Sequence, residues 1–470
     1  MRLAIGPALL AGLLLGGCLT PPPKAGAPVL PKSAPIDATD PELAGTWPER
    51  QWWLRYDDAT LNALIDRALQ DSPDIAAASA RFGAAGAAAR QVAASAGAQV
   101  SAVADAERQR LSDNGLFPPQ LLGFHWYDTI DLGLKASYSF DWWGLHRDQL
   151  RSSLDSQRAL GAERDAAALA LAVSVASEYF AWQADHARQE LAAERVVLAE
   201  REVGIVGERL DAQIARIDEL QQAKQALYTS QDHAVEADTA VQIDRIALAA
   251  LLGCAPAQLP PLAARPLPAL PVGLPANASI DLIARRADIA ASRWRIEAAT
   301  EDRRAARAGF MPDISLNALA GLNSIEFSRL LEYGSRAPAF GAAIHLPIFD
   351  AGALRAGYQR SQANLTAAVD DYRSVVIGAA KEVNTQLEMR ATQTRELALR
   401  ADQLNSAEQL QQAAAQRLAG GLSDARPEID SQIQVLTARE AQLQSAYLQL
   451  SADLALIHAL GGGYSTEPQS

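Results

Sequence analysis

Between Thr129 and Phe140 the side chains alternate at every step. Ile130, Leu132, Leu134, Ala136, Tyr138 and Phe140 fall on one side, and Thr129, Asp131, Gly133, Lys135, Ser137 and Ser139 on the other. A helix would mix the two sets, whereas a β-strand separates them. A weaker alternation covers Gln99 to Glu107, and the turn formers and aromatics of Ser112 to Tyr127 predict a loop between the two strands. Two further strands are predicted where Ile314, Leu316, Ala318 and Ala320, and then Phe340, Ala342, Ile344 and Leu346, alternate with polar or small residues.

Elsewhere the period is helical. Asp58 to Leu69 reads as a short amphipathic helix, and Pro73 opens an alanine-rich helix to about Ala96. After Trp143-Gly144 a very long helical run extends to about Ala212. Val196, Val203, Leu210 and Ile217 recur every seven residues, with Ala199, Val206 and Leu220 at the companion position, the seam of a coiled coil. No proline interrupts the chain between Pro119 and Pro256. A helix from Leu145 to Ala212 would be roughly 100 Å long at about 1.5 Å per residue. A return helix is predicted from about Ile217 to Leu252.

The second half repeats this order at an offset of about 209 residues. Asp288-Ile289 opens a helix through Arg307, as Asp74-Ile75 did. Phe349-Asp350-Ala351-Gly352 leads into a long helix, as Phe140-Asp141-Trp142-Trp143-Gly144 did. Arg417-Leu418 matches Arg209-Leu210, and Ile429, Leu436, Leu443, Leu450 and Ile457 form a ladder on the last helix. Four strands with one apolar and one polar face fit a transmembrane β-barrel, but about eight strands are the practical minimum for closure. Open sheet edges in lipid would leave backbone groups unpaired, so the pattern predicts oligomerisation.

Composition narrows the function. Net charge is −13, which gives no support to a nucleic-acid partner. Aromatics are 6% and alanine is abundant, which suits long, closely packed helices. His125, His146, His186, His233, His345 and His458 are scattered, with no HExxH and no CxxC, so no metal site and no cofactor are expected. A lipid-anchored enzyme finds no GxSxG and no glycine-rich phosphate loop. Only Met1, Met311 and Met389 occur, which gives no hint of soft-metal export.

Arg2 and the apolar stretch Leu3 to Leu15, too short to span a bilayer, end in Leu15-Gly16-Gly17-Cys18. This resembles the lipobox of bacterial lipoproteins, which implies cleavage before Cys18 and its lipidation. A simple secretory signal with a coincidental cysteine is the alternative. Leu19 in place of aspartate favours, by the same resemblance, the outer membrane. Thr20 to Pro48 is proline-rich and expected to be extended or disordered. The expected layout is a lipoprotein signal peptide (1–17), a lipid-anchored proline-rich tether (18–51), a first repeat (52–253), a proline-rich linker (254–278), a second repeat (279–463) and a tail (464–470).

The lipobox, the duplication, the two strand-to-helix corners, the hairpin-tip segments from Arg209 to Ala223 and from Arg417 to Ser431, and Leu251-Leu252-Gly253 together resemble the outer-membrane factors, TolC-like and NodT-type. The resemblance covers about Trp52 to Gly463. It implies a mainly α fold with membrane β, in which three chains complete a twelve-stranded β-barrel and their coiled-coil helices form a periplasmic α-barrel. It also implies a homotrimer docked to a periplasmic adaptor (a membrane fusion protein) and, through it, an inner-membrane transporter. Small molecules such as drugs or toxic metabolites would pass without chemistry. An exit duct for type I protein secretion and a non-channel coiled-coil periplasmic lipoprotein remain alternatives.

Site residues follow. Cys18 is the expected anchor, and Asp131, Lys135, Ser137, Ser139, Ser315, Asn317 and His345 the expected pore wall. The resemblance implies a carboxylate ring at the second hairpin, where Asp430 falls on one position. The other falls on Pro427, with Glu428 and Asp424 as substitutes. In the first hairpin Glu219 occupies an acidic position and Asp218 adjoins it. Helix starts favour acidic residues in any case. The docking turns would be Arg209, Leu210 and Gln213, and Arg417, Leu418, Gly420 and Gly421. The family usually has glycine where Gln213 stands and an aromatic residue where Leu210 and Leu418 stand. Gly420 and Gly421 are expected to supply positive φ.

Overall fold

The computed structural model describes residues 20–24, 26–36, 44–116, 118–269, 273–275 and 278–465. The signal peptide (1–17) and Cys18 lie outside the described residues. Among those described, no helix is long and apolar enough to cross a membrane.

Each half of the chain lays down two helices, two strands and two longer helices. In the first half these are α1 (Ala59–Asp71), α2 (Pro73–Ser95), β1 (Gln99–Arg110), β2 (Trp126–Phe140), α3 (Leu145–Asp211) and α4 (Ile217–Leu251). The second half has α5 (Ala278–Arg285), α6 (Ala287–Ala308), β3 (Asp313–Ser324), β4 (Ala339–His345), α7 (Ala353–Ala419) and α8 (Arg426–Ala459). Helices α3 and α7 have 67 residues each. Strand β2 starts three residues before the expected Thr129, and β4 stops at His345, just before Leu346-Pro347. The residue before a proline and the missing proline N–H both work against further pairing there.

The chain divides into two compact units, each drawing on both halves. The first comprises, among described residues, 20–24, 26–29, 81–160 and 292–372, and holds the sheet. Its strand order is β1-β2-β3-β4, antiparallel throughout. Register places Ala106 opposite Ile130, Ile130 opposite Ser324, Leu134 opposite Ala320, and Ala318 opposite Phe340. The alternating apolar sets of the four strands therefore share one face. At both strand-to-helix corners a glycine turns the chain with left-handed backbone, Gly144 at φ 84° and Gly352 at φ 92°. An aspartate caps each following helix: Asp141 accepts from the Arg147 N–H at 2.8 Å, and Asp350 from the Leu354 N–H at 2.6 Å.

The second unit holds the hairpin tips and a core containing Leu61, Leu64, Ile65, Leu248, Leu282 and Leu454, all almost fully buried. Helix α1 starts where Oδ1 of Asp58 accepts from the Thr60 and Leu61 N–H groups at 2.9 and 3.1 Å. Its apolar residues Leu61, Leu64, Ile65 and Ala68, at helical spacing, are the buried ones. The α8 ladder is buried at Ile429, Leu436, Leu450 and Ile457 and half-buried at Leu443.

The described part of the tether lacks regular structure over 20–24 and 26–36, bends at Lys32-Ser33, and is held against the body. In the first unit Arg307 donates to the Pro22 carbonyl at 2.8 Å. In the second, Ala34 is buried and its N–H donates to the Ser279 carbonyl at 2.7 Å, while Asn384 donates to the Pro35 carbonyl at 3.2 Å. Ala44–Gly45 pairs in parallel with Leu274–Pro275 of the linker. Proline-rich chain lacks N–H donors, yet its carbonyls accept freely, and here they find donors on the body.

Candidate functional site

Two features can do work, and each lies within one compact unit. The first is the sheet's polar face. Register sets Lys135 opposite Leu319, Ser137 opposite Asn317, Ser139 opposite Ser315, and Asp313 opposite His345. Every expected pore-wall residue therefore lies on the same face. They are linked across strands: Ser139 donates to Asp313 at 2.6 Å, and Asn323 to Asp131 at 2.7 Å. Val103 and Leu319 are apolar exceptions on this face. Asp313 and Asn323, missed in the sequence, also lie on it; continuing the period-two pattern past both ends of the Ile314 to Ala320 alternation would have found them.

The apolar face is exposed over most of its length. Leu132, Leu134, Tyr138, Phe140, Phe340 and Ile344 are between 39% and 92% accessible. Among the described residues, β1 and β4 each pair on one side only.

The second feature is the pair of hairpin tips. Both turns close in the same way. Gln213 donates its N–H to the Leu210 carbonyl at 2.9 Å and Ile214 to the Arg209 carbonyl at 2.8 Å. Gly421 donates to Leu418 at 3.0 Å and Leu422 to Arg417 at 2.8 Å. These are the paired bonds of a Schellman cap. Its left-handed residue is Gln213 in one turn and Gly421 in the other. The first turn thus keeps its geometry without glycine. Gly420, expected to share the positive φ, is not among the positive-φ residues; a Cβ there would make ordinary contact with the Gln416 carbonyl. Only the residue after the helix end has to reverse the chain.

Around these turns arginines engage four of the five gate candidates. Arg209 pairs with Asp424, Arg201 with Glu428 at 3.4 Å, Arg426 with Glu219 at 3.2 Å, and Arg216 with Asp218 at 3.1 Å. Arg426 also reaches Glu202 at 3.5 Å. Glu428 is buried and accepts further from Gln432, so its pairing matters more than the exposed ones, which are worth about 1 kcal/mol or less each. Asp430 is exposed and makes no side-chain hydrogen bond or ion pair among the described residues. Leu210, expected to dock a partner, instead packs half-buried against the small cluster of Val206, Ala215 and Ala223. Leu418 is also half-buried, while Arg417, Gln213, Gly420 and Gly421 are exposed. Two apolar residues that the sequence reading missed stand out at the equivalent positions just past each turn, Ile214 at 68% and Leu422 at 81% exposure. Superposing the two repeats residue by residue would have flagged them.

The family model for outer membrane efflux proteins matches residues 64–254 and 279–462. The chain belongs to the outer membrane efflux protein family. It is 29% identical over 443 residues to the multidrug resistance outer membrane protein MdtP of Escherichia coli (strain K12), covering 92% of this chain and 90% of that one. Among solved structures it resembles the outer-membrane channel OprN, with a TM-score of 0.84 and 26% identity over 94% of this chain and 98% of that one. It also resembles the outer membrane protein VceC of Vibrio cholerae, with a TM-score of 0.78 and 30% identity over 89% of this chain and all of that one. This efflux protein accordingly has the expected fold class, with the strands for a membrane β-barrel that the patterning predicted and the long helices for an α-barrel that the resemblance implied. It is an outer-membrane channel protein extending into the periplasm.

Proposed function

We propose that the chain is one protomer of a homotrimeric exit duct that passively conducts small molecules across the outer membrane. A periplasmic adaptor and an inner-membrane transporter supply it. The observation that carries this reading is the sheet: four strands, apolar on one face and polar on the other, with an unpaired outer edge on β1 and on β4. Such edges are stable in lipid only when neighbouring copies pair with them. Tyr228, Val235, Ile243 and Ile246, exposed on α4, support the same assembly. The likeness to MdtP, a multidrug resistance outer membrane protein, supports drugs or toxic metabolites as cargo.

In this reading Asp131, Lys135, Ser137, Ser139, Ser315, Asn317 and His345 line water. Asp430, unengaged among the described residues, is the carboxylate placed to face its copies at the tip. Asp424, Glu428, Glu219 and Asp218 are spent on arginines that tie one hairpin to the other. The adaptor meets Arg209, Gln213, Arg417, Gly420 and Gly421, with Ile214 and Leu422 as the apolar anchors. Cys18 carries the lipid, which the intact mass of the mature protein would reveal.

Single-channel recording of the detergent-extracted protein in a planar bilayer tests the duct. Discrete openings whose conductance or cation selectivity changes in Asp430→Ala support both channel and gate. Openings unchanged by the substitution keep the channel and remove Asp430 from the gate. Silence from a folded oligomer, persisting when Asp424, Glu428 and Asp430 are all replaced, would sink the channel.

A further inference from the structure

On the apolar face of the sheet one position is unlike the rest. Ile130 is 9% exposed, whereas Leu132 and Leu134, two and four residues along the same strand and face, are 43% and 55% exposed. Ser324, directly across the strand pair from Ile130, is buried to the same degree. The cover is the segment between β3 and β4, where Leu330 is itself 7% exposed. Phe327, Leu330 and Leu331 of this segment face Ala104, Ala106 and Ile130 across a groove of about 620 Å³. That volume is in the range of small-molecule sites.

The segment is built onto the sheet. Ser324 donates to the Glu326 carbonyl at 2.8 Å, and the Glu326 N–H returns a bond to the Ser324 hydroxyl at 3.2 Å. Ser335 donates to the Arg329 carbonyl at 2.7 Å, and the Ala337 N–H to the Gly321 carbonyl at 2.8 Å. Of its charges, Arg329 pairs with Glu332 at 3.4 Å and the Arg336 guanidinium lies 4.1 Å over the Tyr333 ring, while the exposed Glu326 carboxylate has no ion pair among the described residues. Beside its exposed charged residues it presents four large apolar side chains outward. Ile325, Phe327, Leu331 and Tyr333 are 54%, 79%, 82% and 78% exposed.

A large apolar side chain left in water forgoes the favourable free energy of burial. With four bare apolar side chains on the apolar side of the strands, the segment is suited to contact with hydrocarbon. We propose that this segment sits outside the barrel as a collar in the bilayer, and that the groove beneath it holds an acyl chain of the surrounding lipid. The assignment rests on the apolar face being the lipid face, as the proposed duct requires. Leu132, at the start of the exposed band, is itself part of the groove's lining, so the groove's occupant is continuous with whatever covers that band.

The test is site-directed spin labelling of the full chain in phosphatidylcholine–phosphatidylglycerol vesicles. The background carries Cys254→Ser, and the labelled variants are Leu331→Cys, Leu134→Cys and Lys135→Cys. The expected result is that the label at 331 relaxes with dissolved oxygen and not with an aqueous nickel chelate, as at 134 and opposite to 135. Relaxation by the chelate would place the segment in water and overturn the collar. Access to neither reagent would mean that protein, such as a second copy, covers it, and would overturn the lipid assignment. If position 134 itself proved aqueous, the lipid-facing reading of the whole sheet would fail first. For the groove, vesicles with chain-labelled phosphatidylcholine should show a motionally restricted component that falls in Ala104→Phe, or in Ala106→Phe if the former does not assemble. An unchanged restricted fraction in an assembled variant would leave the groove without a lipid.

Discussion

Gln213 and Gly421 occupy the same position in the two hairpin tips and share a left-handed backbone, at φ 63° and 69°. A residue with a Cβ pays about 1–2 kcal/mol in this region, and glycine pays little. Gln213→Gly should therefore stabilise the first turn by about 1 kcal/mol, and Gly421→Ala should weaken the second by a similar amount. Native-state hydrogen exchange at the Ile214 and Leu422 amides reports each turn alone. Roughly fivefold slower exchange at 214 and fivefold faster exchange at 422 are expected.

Tyr179 is fully buried on α3 and donates to Oδ2 of Asp58 at 2.8 Å. Gln183 donates in turn to the tyrosine hydroxyl at 2.9 Å and accepts the Arg265 N–H at 2.7 Å. The network ties the start of α1 to a long helix and to the linker. Tyr179→Phe should cost about 1–3 kcal/mol, since a buried carboxylate oxygen loses its hydroxyl donor. A lower midpoint of thermal unfolding in detergent, with the channel still open in bilayers, is the expected outcome.

Asp244 on α4 is buried beside Asp185 and Glu178 of α3, with Tyr447 of α8 close by and Arg188 partly compensating. Burial first, and then the two neighbouring carboxylates, push its carboxyl up to about 7. The fold thus favours the protonated form. Its contribution to stability is fully present below about pH 4 and is lost as pH rises toward 7. Asp244→Asn should hold the thermal midpoint level between pH 4 and 7, where the wild type declines. An unchanged slope in the variant would assign the decline to other groups.

Leu134 and Ser137 lie on opposite faces of β2. Leu134→Arg should cost about 2–4 kcal/mol where the sheet meets hydrocarbon, and heat-resistant oligomer on a gel should fall accordingly. Ser137→Arg should assemble normally and shift the reversal potential toward anions. Equal tolerance at both positions would mean that neither face meets lipid.

Strands, long helices and turns were legible because their signals are local. Period two from Thr129 to Phe140, heptads through Val203 and Leu210, and glycine at 144 and 352 each act within a few residues. The duplication then placed the same elements twice, and an unpaired sheet implied other copies. Tertiary structure alone decided who meets whom. Asp424 and Glu428 read as gate carboxylates, yet Arg209 and Arg201 of α3 hold them. Nothing near Asp244 in sequence marks it as buried against Asp185 and Glu178. The proline-rich tether gave no sign that Arg307 and Asn384 would bind its carbonyls, nor the aromatic segment after β3 that it would fold over Ile130. Such pairings depend on how helices and strands far apart in sequence align when packed, and a local period carries no record of that alignment.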